Sequence, residues 1–292
     1  MTVPRPAPLA LLAARLTDRD RRLMRAVWEN RVLTTPQITA LFFDSDDTAG
    51  KRLLILTRLG VLERFRPFQP HGLGTAPYHY VLGPEGAAVL ASEAGEEPAA
   101  LGYRRDRVLA IAHNQRLAHT LGVNDFMAGL GAFARRDPNA ELVTWWPERR
   151  CTRMWGDAAR PDAYGRWREG GRTLDFFLEH DTGTEPLDRI AAKLTGYAAL
   201  AESSRISTPV LFWVESEQRE TNLRERFRRH ATAEAVPVTT GCRSGLAGCD
   251  DGPAGELWLP LDSAGPRLRL AFLCQHWPDL GPHRDGRTEV AQ

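Results

Sequence analysis

Leu174-Asp175-Phe176-Phe177-Leu178-Glu179-His180-Asp181 decides how the second half of this chain reads, because an apolar run ends there in acids. Side chains alternate between the faces of a strand, so Asp175, Phe177, Glu179 and Asp181 share one side and Leu174, Phe176, Leu178 and His180 the other. Glu179 and Asp181 therefore point the same way at the strand's end. Upstream, Arg160-Pro161-Asp162 precedes a second strand, Ala163 to Trp167, and Glu169-Gly170-Gly171-Arg172 turns the two into a hairpin. That hairpin returns Asp162 to the acidic end. Converging carboxylates repel one another without a cation, and the all-oxygen set Asp162, Glu179 and Asp181 suits Mg2+ or Mn2+. Such an ion polarises a phosphodiester and lowers the pKa of an attacking water.

Downstream, Thr184 and Pro186 open a helix with Leu187, Ile190, Ala191 and Leu194 on one face and Arg189, Lys193 and Tyr197 on another. Lys193 and Lys51 are the only lysines among 38 basic residues. Arginine cannot act as a compact point charge, so a lysine beside the acidic strand end suits charge developing on phosphate. Tyr197 is its hydrogen-bonding neighbour. Asp162, Glu179 and Lys193 form the catalytic expectation; the bland reading of the helix is a solvated row. Around this core the sequence predicts a long helix from Asp106 to Arg136. Strands are expected at Glu141 to Trp146, Cys151 to Trp155, Ala163 to Trp167, Thr173 to His180 and Pro209 to Glu215. Helices Pro186 to Ser203 and Asn222 to Ala235 complete an α/β sandwich. Arg224, Arg226, Arg228 and Arg229 either track a DNA backbone or are solvated. Residues 241–255 read as a flexible loop, with late strands at Leu257 to Pro260 and Leu268 to Leu273.

The first part of the chain reads differently. Thr17 caps a helix striped by Leu23, Met24, Val27 and Trp28, and Thr34 or Thr35 before Pro36 opens a second helix to Phe43. Asp47 or Thr48 opens a third, through Leu59, which Gly60 stops. Val61 to Phe65 and Tyr78 to Leu82 read as strands, and Pro84 to Ala94 as a closing helix. This order resembles a winged helix-turn-helix, with Ala49 to Leu59 as recognition helix and Gln69 to Ala76 as wing tip. Leu53, Leu56 and Leu59 face its core. Lys51, Arg52 and Arg58, joined by Arg64 and Arg66 at the wing base, then face DNA. A solvated basic face, or a winged helix used for protein contacts, is the alternative, and Asp44, Asp46 and Asp47 oppose DNA.

Composition sets the frame. A chain of 292 residues, 42% hydrophobic, has room for two domains. Its net charge of +1 means that nucleic-acid binding must come from local patches. Cys151, Cys242, Cys249 and Cys274 show no CxxC pair or matching His spacing, which argues against zinc and for free thiols in a reducing cytoplasm. The apolar run at residues 9–14 is too short for a signal peptide, and none approaches the roughly 20 residues of a membrane span. A soluble cytoplasmic protein is expected.

Several motifs in order and spacing resemble the replication-relaxation family, plasmid and mobile-element proteins of high-GC actinobacteria. They are Leu16-Thr17-Asp18-Arg19-Asp20, Leu56-Thr57-Arg58-Leu59-Gly60, His119-Thr120-Leu121-Gly122-Val123-Asn124-Asp125-Phe126, Pro161-Asp162, and Glu179-His180-Asp181-Thr182-Gly183-Thr184 with Lys193 and Tyr197. The resemblance spans about Thr17 to Phe227 and implies a role in plasmid replication, DNA relaxation or mobilisation. The second half also looks like a distant relative of PD-(D/E)xK phosphodiesterases. Asp162 and Glu179 match that motif's acids; Asp181 stands where it has lysine, which makes Lys193 a migrated replacement. His119 and Asp125 are candidate accessory groups near the metal, with buried polar capping as the alternative. A tyrosine-type relaxase needs a metal-binding histidine cluster, which the sequence lacks, so Tyr197 is not read as a nucleophile.

The expected organisation is α+β: a winged helix-turn-helix DNA-binding domain at 16–95, a linker at 96–104, a restriction-endonuclease-like domain at 105–275 and a disordered tail at 276–292. The leading function is metal-dependent nicking or cleavage of double-stranded plasmid or mobile-element DNA. A catalytically inactive regulator or replication accessory factor is the alternative, and a protein-interaction scaffold a second. Replication or transfer proteins are expected partners, and a homodimer is the expected assembly.

Overall fold

A computed structural model describes residues 9–67, 75–97, 99–277 and 280. Most of the expected wing tip and nearly all of the expected tail lie outside the described residues. By contact the chain forms two compact units, Met1–Ala128 and Gly129–Gln292, and no described helix is long and apolar enough to cross a membrane.

The first unit contains α1 (Leu9–Ala13), α2 (Asp18–Glu29), β1 (Leu33–Thr34), α3 (Thr35–Phe42), α4 (Asp46–Arg58), β2 (Leu62–Phe65), β3 (His79–Leu82), α5 (Pro84–Glu93), α6 (Arg105–Leu109) and the start of α7 (Leu117–Ala134). α2, α3 and α4 begin where side chains satisfy the orphan amides of a first turn. The Asp20 N–H donates to Thr17 Oγ1 at 3.3 Å while the Thr17 N–H donates to Asp20 Oδ2 at 2.7 Å, a reciprocal capping box. Thr34 and Gln37 repeat the device for α3, and Ser45 caps α4. Asp46 and Asp47 sit in the first turn of α4, where the helix dipole favours acids. Gly60, at φ 70°, ends that helix in the left-handed region. The strands pair antiparallel in the order β1-β3-β2. Leu23, Met24, Val27, Leu33, Ile38, Leu53 and Leu56 are fully buried between the helices and this sheet.

The second unit carries β4 (Ala140–Pro147), α8 (Glu148–Trp155), β5 (Ala163–Glu169), β6 (Arg172–Asp181), α9 (Leu187–Ser204), β7 (Val210–Val214), α10 (Glu217–Arg228), β8 (Val238–Cys242), β9 (Glu256–Pro260), β10 (Leu268–Arg269) and α11 (Leu273–His276). Its seven strands lie in sheet order β10-β9-β8-β7-β6-β5-β4. β4, β5 and β6 form an antiparallel meander; β6, β7 and β8 run parallel, joined through α9 and α10; β9 and β10 return antiparallel. Parallel neighbours require crossover connections, and the two helices supply them. Ile190, Leu194 and Tyr197 of α9 and Leu223 and Phe227 of α10 pack with Phe177, Phe212, Val214 and Val238 of the sheet into one apolar cluster. Gly196 lets α9 approach: a Cβ there would lie 2.3 Å from the Ala158 carbonyl oxygen.

Five expectations change. The long helix from Asp106 to Arg136 is interrupted: α6 passes into a 3-10 turn at Ala110–His113, and α7 starts only at Leu117. The Asn114 side chain accepts from the Arg116 N–H there at 2.8 Å, a local turn that competes with the helix. Cys151 to Trp155 is helical rather than a strand, because Pro147 closes β4 and opens α8, with Cys151 and Trp155 one turn apart. The loop expected at 241–255 contains the end of β8 and two 3-10 turns. α10 runs over Glu217–Arg228 from its Ser216 cap, several residues before the expected span, and Leu268 to Leu273 is a two-residue strand followed by helical turns.

Candidate functional site

The hairpin β5–β6 places the first two groups. Ala163 pairs with Leu178 and Tyr164 with Phe177, so one step further along the same register Asp162 stands opposite Glu179. Backbone and side chain share in that step: the Asp162 N–H donates to the Leu178 carbonyl at 3.0 Å, and the His180 N–H donates to Asp162 Oδ2 at 2.9 Å. Both acids are buried, at 6% and 2% exposure.

α9 brings the rest. Lys193 Nζ lies 2.7 Å from Glu179 Oε2, and one turn later the Tyr197 hydroxyl donates to Glu179 Oε1. Glu185 Oε2 is a second, looser partner of Lys193 at 3.7 Å. Burial pushes the Glu179 carboxyl up to about 7, and the Asp162 carboxylate adds to the rise while Lys193 and Tyr197 pull against it. Burial works against the Lys193 ammonium, but Glu179 and Asp162 outweigh it and hold its proton more firmly than usual. Tyr197, buried and beside Glu179, is pushed well above the usual phenol range and stays a donor. The Cys151 thiol is raised to about 12 by burial and then by Asp162, so it is an inert thiol.

Asp181 is placed otherwise. Its Oδ2 lies 2.6 Å from Arg219 Nε, and its Oδ1 accepts from the Gly183 N–H at 2.9 Å and from Arg219 Nη2 at 3.3 Å. Arg219 also donates to the Glu185 carbonyl, closing the loop between β6 and α9. His180, on the opposite face of β6, has Nε2 3.8 Å from Glu215 Oε1. Among the described residues no group of three or more His, Cys, Asp or Glu side chains is arranged to hold a metal ion.

In the first unit the basic candidates divide. Lys51 is exposed and pairs with Asp47 one turn earlier on α4 at 2.6 Å, and Arg58 is exposed on the same helix. Arg64 and Arg66 both lie over the Tyr78 ring, 4.0 and 3.8 Å from its centroid. Arg52 instead grips the fully buried Asp20, with Nε 2.9 Å from Oδ1 and Nη2 on Oδ2. Burial opposes ionisation of Asp20, yet Arg52 and Thr17 together hold its carboxyl below the usual range. Asp125 Oδ1 accepts from Gln37 Nε2 at 2.6 Å, while Asn124 Nδ2 donates to the Val32 carbonyl at 2.7 Å, so this end of α7 is bound into the first unit. His119 is half-buried on the same helix.

The profile of the replication-relaxation family matches residues 24–211, from within α2 to within β7. The chain belongs to the replication-relaxation family. Membership points to a role in the replication or relaxation of plasmids and mobile elements. No curated protein and no solved structure matches the chain. The family match contains Asp162, Glu179, Lys193 and Tyr197, and also Lys51, Arg58, Arg64 and Arg66; it stops short of Arg219.

Sequence reasoning missed Arg219 and Glu185 in this replication-relaxation protein. Arg219 lies 38 positions from the carboxylate it holds, and only the parallel β6–β7 pairing brings the first turn of α10 to the end of β6. It also missed a group of aromatic rings on the Glu179 face of the sheet, hidden because Trp155 was assigned to a strand.

Proposed function

We propose that this replication-relaxation protein binds plasmid or mobile-element DNA through a winged helix-turn-helix in its first unit and cuts a phosphodiester in its second, restriction-endonuclease-like unit. The single observation that carries the reading is the constellation Asp162, Glu179 and Lys193: two buried carboxylates opposed on adjacent strands, with the partly exposed Lys193 ammonium 2.7 Å from one of them. Topology supports it. The order α7-β4-β5-β6-α9-β7, an antiparallel meander and then a parallel strand, is that of PD-(D/E)xK enzymes with α8 inserted. In the first unit the order α2-β1-α3-α4-β2-β3 with sheet order β1-β3-β2 supports the winged helix, α4 serving as recognition helix. Lys51, Arg58, Arg64 and Arg66 contact phosphates, and Arg52 braces α4 from behind.

Asp162 and Glu179 are the oxygen donors through which Mg2+ or Mn2+ would be held, since Asp181 is taken up by Arg219. The Asp162 carboxylate adds to the cost of ionising Glu179, which a divalent cation would relieve, and Mg2+ commonly takes one or two protein carboxylates with water and phosphate completing the shell. Bound there, the ion would supply Lewis-acid polarisation of the phosphodiester. Lys193 neutralises charge that develops on phosphate, and Tyr197 fixes the Glu179 carboxylate by its hydroxyl.

A second reading, a replication accessory factor that binds DNA without cutting, is favoured by one feature: both Glu179 oxygens and the Asp181 carboxylate already have cationic or hydroxyl partners. Supercoiled plasmid incubated with Mg2+ or Mn2+ separates the two. Metal-dependent nicking by the wild type, lost in Glu179→Ala and in Lys193→Ala, establishes the nuclease. Salt-sensitive DNA binding without nicking establishes the accessory factor.

A further inference from the structure

Glu179 shares its face of the sheet with a row of aromatic rings that the proposed chemistry does not use. Trp146 of β4 pairs with Tyr164 of β5, and Tyr164 with Phe177 of β6, so these three side chains stand side by side across the meander. Ring centroids are 4.9 Å apart for Trp146–Tyr164 and 5.9 Å for Tyr164–Phe177. Trp155, from the last turn of α8, closes the group at 5.7 Å from Trp146, 5.5 Å from Tyr164 and 4.9 Å from Phe177. Phe177 continues it to Tyr197 at 5.4 Å, and the Tyr197 hydroxyl is bonded to Glu179. The row runs from the terminal strand of the sheet to the acids.

Its inner end is core: Phe177 and Tyr197 are buried, at 5% and 3% exposure. Its outer end is open, since Trp146, Trp155 and Tyr164 are each only partly buried and β4 is the last strand of its sheet. Arginine is frequent in and just after the helix that carries Trp155. Arg149, Arg150, Arg153 and Arg160 fall within residues 148–160, against the acids Glu148 and Asp157. The Arg150 guanidinium lies over the Trp146 ring, 4.1 Å from its centroid. Indole rings beside guanidinium planes on a basic surface match unpaired nucleotides, whose bases expose π faces and whose phosphates are anionic. Duplex DNA offers no such faces, because its bases stack on one another.

We infer that Trp146 and Arg150, backed by Trp155 and Tyr164, form a stacking platform for unpaired bases of single-stranded DNA and lead that strand to the Glu179–Lys193 site. The inference rests on the proposed DNA-processing reading and narrows it: the second unit takes single-stranded or locally melted DNA.

The test uses the full chain in EDTA, so that binding is read without cleavage. Fluorescence anisotropy compares an oligo(dT) of about ten nucleotides, within single-strand site sizes, with an abasic strand of equal length and with a duplex. Stacking predicts that the wild type binds oligo(dT) about tenfold or more tightly than the abasic strand, which keeps the phosphates but lacks the bases. Trp146→Ala is expected to remove about tenfold of oligo(dT) affinity, Trp146→Phe to restore most of it, and neither to change duplex affinity. Equal binding of oligo(dT) and the abasic strand overturns the platform, as does an unchanged oligo(dT) affinity in Trp146→Ala. Binding of neither strand also overturns it and points to a protein partner for the aromatic face. A protein that prefers oligo(dT) yet never nicks plasmid with metal keeps the platform and loses the nuclease. One that nicks but shows no base preference keeps the nuclease and loses the platform.

Discussion

Arg52→Ala separates a DNA contact from a structural strut. Arg52 sits among the basic residues of α4, yet its guanidinium meets Asp20 through two nitrogens, and Asp20 is fully buried. Removing Arg52 leaves the Asp20 carboxylate with only its Thr17 partners, and an unpaired buried charge costs about 3–5 kcal/mol. The Arg52 side chain keeps 20% exposure, so water reaches the gap and the lower end of that range applies, about 3 kcal/mol. For a unit of this size, that lowers Tm by roughly 10 °C. Thermal denaturation of the full chain reads it directly, with duplex binding measured well below the transition. Because the Asp20 carboxyl is held below its unfolded value, the stabilisation is present above about pH 4 and is lost as pH falls through the folded value. Wild type and variant should therefore converge in acid. If Arg52→Ala keeps its Tm within about 2 °C and instead loses duplex affinity, Arg52 is a DNA contact and the strut assignment fails.

Tyr197→Phe removes a hydroxyl donor from buried Glu179 and is expected to cost about 1–2 kcal/mol in urea denaturation; an unchanged midpoint would show that the bond carries no weight. Glu179 is raised to about 7, so the folded chain keeps a proton that the unfolded chain gives up near pH 4. Stability should fall as pH rises through that window and level off above it, and Glu179→Gln should abolish the slope; parallel pH profiles for the two proteins refute the assignment. Gly196→Ala drives a Cβ to 2.3 Å from the Ala158 carbonyl, a backbone atom that cannot rotate away. A loss of about 1–3 kcal/mol by overpacking is expected from chemical denaturation, and a gain in stability, as for an ordinary helix glycine, refutes the close approach.

Local rules carried much of the architecture. The capping residues Thr17 and Thr34 lie within three positions of the amides they satisfy, and the Gly170-Gly171 turn with strand alternation places Asp162 opposite Glu179. Four-residue spacing put Lys193 and Tyr197 on one side of α9, and both reach Glu179. Errors arose where tertiary partners overrule local pattern. Cys151-Thr152-Arg153-Met154-Trp155 contains β-favouring residues, yet Pro147 and the inward pair Cys151 and Trp155 make it a helix. β8 reads Val-Thr-Thr-Gly-Cys, polar enough for a loop, but Thr239 and Thr240 are fully buried and the Thr240 hydroxyl donates to Glu220 at 2.7 Å. Arg224, read as part of a basic surface, is likewise turned inward, donating to Thr240 and to the carbonyls of Leu259, Pro260 and Ser263. No sequence window contains those partners.

The acid at position 181 gains a physical meaning from the same long-range contacts. On the proposed reading, the motif's lysine would follow Glu179 by two residues on the same face of β6, and Asp181 puts a negative charge there instead. Asp181, like Glu179, is buried. Two cations from different helices take the two carboxylates separately: Arg219 of α10 pairs with Asp181, and Lys193 of α9 with Glu179. Glu185, with its side chain on Lys193 and its carbonyl on Arg219, ties the two pairs together. On that reading Lys193 stands in from α9 for the motif's lysine, and Arg219 partners the acid left at the strand end. On the proposed reading this arrangement leaves Lys193, held by Glu179, Asp162 and Glu185, as a fixed ammonium for charge developing on phosphate.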